Sequence, residues 1–255
     1  MSLSHLPIVY ITGATATGKG TLGKRLAVDF GFYHISLGDL RRGYSRSLRS
    51  GLPWMSDAIR KCVTEGTAIP QSLLNEYDTV PAILQHHNLF VGGCKTWSIE
   101  LASTMMSEQL AQAQAFEEEG GEYTGVIIDG HPLTSGMVSP LTIDAYEQAF
   151  SGLTIVIESP REIAQQRYLD RARSVIEDSA RFEARMKLTD RFLPAFIEWM
   201  EGNGEVVYST NDGTMSIDDA YNALVAELDR NSKVWHALKE RSQAIAQTTQ
   251  ANDIP

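Results

Sequence analysis

Cysteine is nearly absent: Cys62 and Cys94 are the only two in 255 residues. Two cysteines give neither a disulfide framework nor a credible zinc ligand set, and they suit a reduced compartment. An excess of positive charge is also missing. Lysine and arginine total 22 against 32 acidic residues, a formal net charge of -10, which opposes general nucleic-acid binding because a long phosphate backbone would meet a repulsive average field. A small anion needs only local positive charge. No run is apolar for long enough to cross a membrane. A strand-like run follows almost at once on the first residues, without the basic and apolar sections of a secretory signal, so the expectation is a soluble, cytoplasmic protein. Internal repeats are absent. The bias of Ala111-Gln112-Ala113-Gln114-Ala115 and then Glu117-Glu118-Glu119 reads as a solvated helix end. The pair His86-His87 has no partners at metal spacing and reads as loop.

What is present is enough apolar content, 43%, for one main domain with insertions, over about 1–230. Short β-branched runs alternate with longer helical patterns, which predicts an α/β protein with a central parallel sheet and helices on both faces. The expected strands are Ile8–Thr12, Val126–Asp129, Leu153–Glu158 and Glu205–Ser209, with a short one near Tyr33–Ile35. From Gly18 to Phe30 the spacing of Leu22, Leu26 and Phe30 puts three apolar side chains on one helix face, turned to the sheet. After about Leu228 the sequence turns polar, and 231–255 reads as an appendage more than as core.

Directly after the first apolar run stands Gly13-Ala-Thr-Ala-Thr-Gly18-Lys19-Gly20-Thr21. Gly13 and Gly18 allow backbone angles that let consecutive N–H groups point inward at a helix start, which makes an anion nest. Lys19 is long enough to reach outer phosphates, and Thr21 offers a hydroxyl to phosphate or to hydrated magnesium. Glycine at 20 breaks the strict phosphate-loop pattern, which has serine or threonine directly after the lysine. The duller alternative is a glycine-rich turn that binds nothing. The strand before and the helical pattern after the loop favour phosphate.

The form Gly18-Lys19-Gly20-Thr21 resembles the loop of adenylate kinase and the related nucleoside monophosphate kinases. Other segments then fall into family order over roughly 8–228. His34-Ile-Ser36-Leu37-Gly-Asp-Leu-Arg41-Arg42 is similar to the serine-threonine-glycine-aspartate segment with its arginine. Gly66-Thr-Ala-Ile69-Pro70 is similar to the glycine-x-x-valine-proline turn lining the acceptor site. Val126-Ile-Ile-Asp129-Gly130-His131-Pro132 resembles the strand ending in aspartate-glycine-aromatic-proline-arginine. Arg167, Arg171, Arg173, Arg181 and Arg185 resemble the arginines flanking the lid.

The resemblance implies magnesium-dependent phosphoryl transfer from ATP to a nucleoside monophosphate. Such transfer depends on positioning and electrostatic stabilisation more than on a covalent nucleophile. It implies donor binding by Gly13, Ala16, Thr17, Gly18, Lys19, Gly20, Thr21 and Arg167. On the acceptor side it implies Ser36, Leu37, Arg42, Ile69, Gly130, Arg173 and Arg185. Lys19, Arg167, Arg173 and Arg185 would carry the transfer, since guanidinium forks suit phosphate oxygens. Thr21, with Asp129 through water, would serve Mg2+. Arg181 and Arg185 compete for one role, and the spacing of Arg185 to Pro194 suits it better. The acceptor-binding and inserted region would span about 36–120, and a short, metal-free lid about 171–180.

Departures from the family pattern fall on the acceptor half. Leu133 replaces the family arginine, Met137 stands near an expected glutamine, Leu37 replaces threonine, and Glu177-Asp178 stands for paired lid aspartates. From Gly66 to Asp129 there are 129 - 66 = 63 positions, more than a compact member needs. The expected insertion holds a loop over Gln85–Trp97 and a helix over Ile99–Phe116, with Leu101, Met105 and Met106 as core packing. Two alternatives remain open. One is a phosphotransferase acting on another small acceptor. The other is a catalytically weak nucleotide-binding module that engages a protein partner.

Overall fold

The computed structural model describes residues 6–78, 80–91, 99–130, 150–171 and 178–252. They fall into two compact units, one formed by Met1–Ser36 with Leu110–Pro255 and a smaller one by Leu37–Gln109.

The larger unit is built on five strands: β1 (Ile8–Thr12), β2 (Phe32–Ser36), β3 (Gly125–Asp129), β4 (Phe150–Glu158) and β5 (Glu205–Thr210). They form one sheet in the order β2-β3-β1-β4-β5, and every pairing is parallel. β1 and β3 are buried along their whole length, as strands covered on both faces must be, which is why their sequences are continuous apolar runs and not alternations. One face carries Val9, Ile11, Ile127, Ile155, Ile157 and Val207 into a core with Leu22 and Leu26 of α1 (Lys19–Phe30). The other face turns Tyr10 onto Phe196, ring centroids 6.2 Å apart. Phe196 belongs to the long helix Ser179–Asn203, which packs on β4 and β5. The fold is an α/β sandwich of the phosphate-loop class, as expected. β1 pairs with β3 on one side and β4 on the other, so chain order reverses at its carboxyl end. In open parallel sheets, that crevice is where ligands bind.

The polar C-terminal segment corrects the expectation of an appendage. It forms a helix over Lys233–Asn252, following the helix Ile217–Asn231. Its first turns bury Trp235 and Leu238 in the same core as Leu26 and Ile155. The Trp235 ring meets Phe30 edge-on at 4.7 Å. Four residues, Trp235, Leu238 and the half-buried Val234 and Lys239, face inward at helical spacing among polar neighbours. Mean polarity of the segment hid that stripe.

The smaller unit holds α2 (Leu37–Ser50), α3 (Asp57–Glu65), α4 (Gln71–Leu74), α5 (Ala82–Val91) and the first half of α6 (Ile99–Glu118). It has its own core of Met55, Ile59, Val63, Ile69, Leu74, Ile83, Leu84 and Met105. Met105 and Met106 are core, as expected. The expected loop from Gln85 is instead helical as far as Val91, and 92–98 lie outside the described residues. His87 is therefore a buried helix residue whose Nε2 lies 2.9 Å from the Thr67 carbonyl. Its neighbour Asn88 accepts from Ile69 N–H at 2.7 Å and donates to the Ile69 carbonyl at 2.9 Å. Two side chains of α5 thus fix the turn Gly66–Pro70. The remaining helices of the larger unit are α7 (Arg161–Asp170), α8 (Ser179–Asn203), α9 (Ile217–Asn231) and α10 (Lys233–Asn252). Among the described residues no helix is long and apolar enough to cross a membrane.

Candidate phosphate-binding site

The loop between β1 and α1 turns through backbone angles that its composition alone makes accessible. Gly13 has φ +132°, and a Cβ there would stand 2.2 Å from the Ile157 carbonyl oxygen, so the loop leaves β1 in contact with the backbone of β4. Gly18 has φ +103° at the N-cap of α1. Ala16, at φ +63°, is left-handed without being glycine, a conformation that is uncommon and worth relating to function. The Ala14 carbonyl turns inward and accepts from Thr17 Oγ1 at 3.1 Å and from Lys19 Nζ.

The start of α1 is electrostatically open. The helices α3, α8 and α9 begin with Ser56, Asp178 and Ser216, each accepting a backbone N–H through its side chain. α1 has no capping side chain and no acidic residue in its first turn. The unpaired N–H groups and the positive end of the helix are thus left for an anion.

Lys19 is half-buried, and its ammonium is pulled down to about pKa 8. Desolvation is the main cause; Asp129 opposes it, and Arg171 adds a smaller push downward. The nearby carboxylate thus offsets only part of the cost of desolvation, and an anion held at the loop would offset more. Asp129, buried at the carboxyl end of β3, has Oδ2 2.9 Å from His34 Nε2 on β2. The same oxygen lies 3.5 Å from where a Cβ of residue 20 would be, an ordinary contact. Gly20 is thus not demanded by lack of room, and its departure from the strict motif leaves the loop geometry intact. Thr21 is exposed in the first turn of α1. Ser36 ends β2 in register with Asp129, and Gly130 follows at φ +87°, donating to the Ile11 carbonyl at 3.3 Å.

Beside this loop stand arginines from two helices. Arg167 of α7 donates through Nη2 to Asn211 Oδ1 at 2.8 Å, while its Nη1 is buried without a partner among the described residues. Asn211, just past β5, also donates through Nδ2 to the Thr17 carbonyl at 3.3 Å. Arg171 at the end of α7 and Arg185 of α8 both lie over the ring of Tyr168, at 4.9 and 5.4 Å from its centroid. Arg181 is exposed. Leu37, Arg42 and Ile69 belong to the smaller unit. There Leu37 is buried at the start of α2, Arg42 pairs with Asp39, and Ile69 is bound by Asn88. Arg173, Glu177, His131, Leu133 and Met137 lie outside the described residues, as does most of the expected lid.

Sequence reading gave no role to His34, Tyr168 or Asn211, and ranked Arg171 below Arg173. Asn211 carries no motif of its own; it reaches Thr17 across 194 positions because β5 ends beside β4 and the loop. His34 was legible only as part of a motif, and its contact with Asp129 depends on β2 and β3 being neighbours. Fold and loop together define a phosphate-loop α/β protein.

Comparison with known proteins finds similar chains. Over 86% of its length the chain is 23% identical to uridylate kinase of Saccharomyces cerevisiae, covering 89% of that protein. It is 22% identical to adenylate kinase isoenzyme 1 of Caenorhabditis elegans, over 90% of this chain and 91% of that one. A solved shikimate kinase from Bacteroides thetaiotaomicron aligns over 88% of this chain and 98% of its own, at 12% identity and TM-score 0.44. No family model matches the chain. Along most of its length the sequence resembles nucleoside monophosphate kinases, in agreement with its motifs.

Proposed function

We propose that this chain transfers the terminal phosphoryl group of ATP to a nucleoside monophosphate. The observation that carries this reading is Lys19 folded back onto the Ala14 carbonyl of a loop whose helix start is left uncapped. The named kinases similar to it over most of their length point the same way.

In this reading the N–H groups of Gly18, Lys19 and Gly20 and the Lys19 ammonium hold the donor's outer phosphates, with Ala16 and Thr17 shaping the loop. Arg167, Arg173 and Arg185 neutralise charge as the phosphoryl group passes from one oxygen to another. For the acceptor the reading keeps Ser36 and Gly130, and, on the resemblance alone, Leu37, Arg42 and Ile69. No side chain is asked to act as nucleophile, since the acceptor's own phosphate oxygen attacks. The oxygen donors Thr21 and Asp129 are of the hard type that Mg2+ takes, and this ion keeps several waters, so an outer-sphere carboxylate suits it. When bound, the ion would draw charge from the phosphate oxygens.

The deciding experiment measures ADP formed from ATP with Mg2+ across AMP, CMP, UMP, GMP, their deoxy forms and simple hydroxyl metabolites. Turnover above ATP hydrolysis with at least one monophosphate is expected. Turnover only with a non-nucleotide acceptor would favour the second reading, a kinase of another small molecule, which Leu133 in place of the family arginine supports. Turnover with none of them would leave a nucleotide-binding module.

A further inference from the structure

Tyr168 has no place in the loop motif, yet two of the cations beside the loop lie against its ring. The residue is fully buried on α7. It packs among Ala164, Phe182 and Met186, and Ala14 and Ala16 of the loop rest on the same cluster. Phe182 braces it at 5.6 Å between ring centroids, tilted by 54°. Above the ring lie the guanidiniums of Arg171 and Arg185, at 4.9 and 5.4 Å. One arginine ends α7 and the other sits in the second turn of α8, so a single ring joins cations from both sides of the expected lid.

The ring, and not the hydroxyl, is what this position uses. The hydroxyl is buried without a hydrogen-bond partner among the described residues, a cost to stability that leucine would avoid. Leucine, however, lacks the negative ring face that attracts cations. Two guanidiniums near one another repel, and the repulsion grows where water is scarce. An aromatic ring that both approach offsets part of that repulsion without supplying a carboxylate, which would neutralise the charge a phosphate needs.

We propose that Tyr168 is a positioning residue of the phosphate site. Its ring holds Arg171 and Arg185 as a pair, on the same cluster that supports Ala14 and Ala16, and so presents two guanidiniums to one polyphosphate. It acts through the arginines and is not itself catalytic. The inference rests on the polyphosphate-binding reading above.

Calorimetric titration with ATP, and separately with inorganic tripolyphosphate, tests it without relying on turnover. Replacing the ring, as Tyr168→Leu, should weaken both ligands by about tenfold or more, the scale of losing a desolvated cation–π pair. Tyr168→Phe should rescue affinity to within about twofold of the parent, because the face is kept. In an Arg171→Gln/Arg185→Gln background, Tyr168→Leu should cost nothing further, which a merely structural role would not produce. Parent-like affinity in a folded Tyr168→Leu protein overturns the proposal. So does equal loss in the Phe and Leu variants. Should the Leu variant not fold, Tyr168→Met, with a long adaptable side chain, carries the same expectation and the same refutation. If the parent itself binds neither ligand, the polyphosphate reading fails, and that result is distinct from parent binding with an indifferent Tyr168.

Discussion

Lys19 and Gly13 are the residues on which the loop depends most, and for opposite reasons. Lys19 contributes charge from a half-buried position where desolvation disfavours its ammonium. Lys19→Ala removes a desolvated cation and should leave the fold intact, while losing about 3 kcal/mol or more of transition-state stabilisation, over about a hundredfold in rate. A thermal melt beside a transfer assay checks both halves; near-parent turnover in a folded variant would remove Lys19 from the donor site. Gly13 contributes shape. Its positive φ and the Ile157 carbonyl only 2.2 Å from the missing Cβ leave a side chain nowhere to go. Gly13→Ala should therefore destabilise by at least about 2 kcal/mol, since both the backbone angle and the contact must give. Denaturant titration measures it, and parent-like stability would mean that the loop leaves β1 along another path.

At the scale of elements, the C-terminal helix α10 is fastened to α9 by a small polar lock. Asp229 accepts from Trp235 Nε1 at 2.9 Å and from Lys239 Nζ at 2.8 Å. The hydrogen bond from Lys239 holds the Asp229 carboxyl below its ordinary value of 3.8 against the opposing effect of burial, and the bond from Trp235 adds a smaller pull in the same direction as Lys239. A depressed folded-state pKa means stability that is complete above the ordinary value and lost as pH falls through the depressed one. The pair is more than a third exposed on the aspartate side, so its contribution is at most about 1 kcal/mol. Asp229→Asn should melt below the parent at neutral pH, and the gap should close as acid protonates Asp229. A gap that persists unchanged in acid would assign the effect to packing and not to charge.

Considered as a whole molecule, the chain has a net charge of -10, while its candidate anion site is lined by Lys19, Arg167, Arg171 and Arg185. The average field repels polyanions and the local field attracts one. ATP should accordingly stabilise the protein as any ligand of the folded state does, by about 2.7 kcal/mol at a hundred times its dissociation constant. Duplex nucleic acid at equal phosphate concentration should not. Differential scanning calorimetry with each addition reads the contrast. Equal shifts from both would replace a built site with unspecific charge attraction. The protection from hydrogen exchange should concentrate in residues 13–21 and in α7, where the loop and its arginines lie.

The loop and the strands were legible in the sequence, because each depends on local chemistry. Glycines where φ must be positive, β-branched runs and a lysine at a helix start act over a few residues. The resemblance to nucleoside monophosphate kinases followed from the order of those local signals. Other features were decided by tertiary structure alone. His34 meets Asp129 because β2 and β3 pair, and Asn211 bridges Thr17 and Arg167 because β5 ends beside the loop. Trp235 becomes core because one stripe of a polar helix finds Phe30 and Leu26. His87 becomes a buried anchor because Ala82–Val91 coils into a helix against the Gly66–Pro70 turn. Arg171 matters beside Lys19 because α7 brings it over Tyr168. Contacts of that kind join positions far apart in the chain, and no local pattern encodes a partner that only folding brings near.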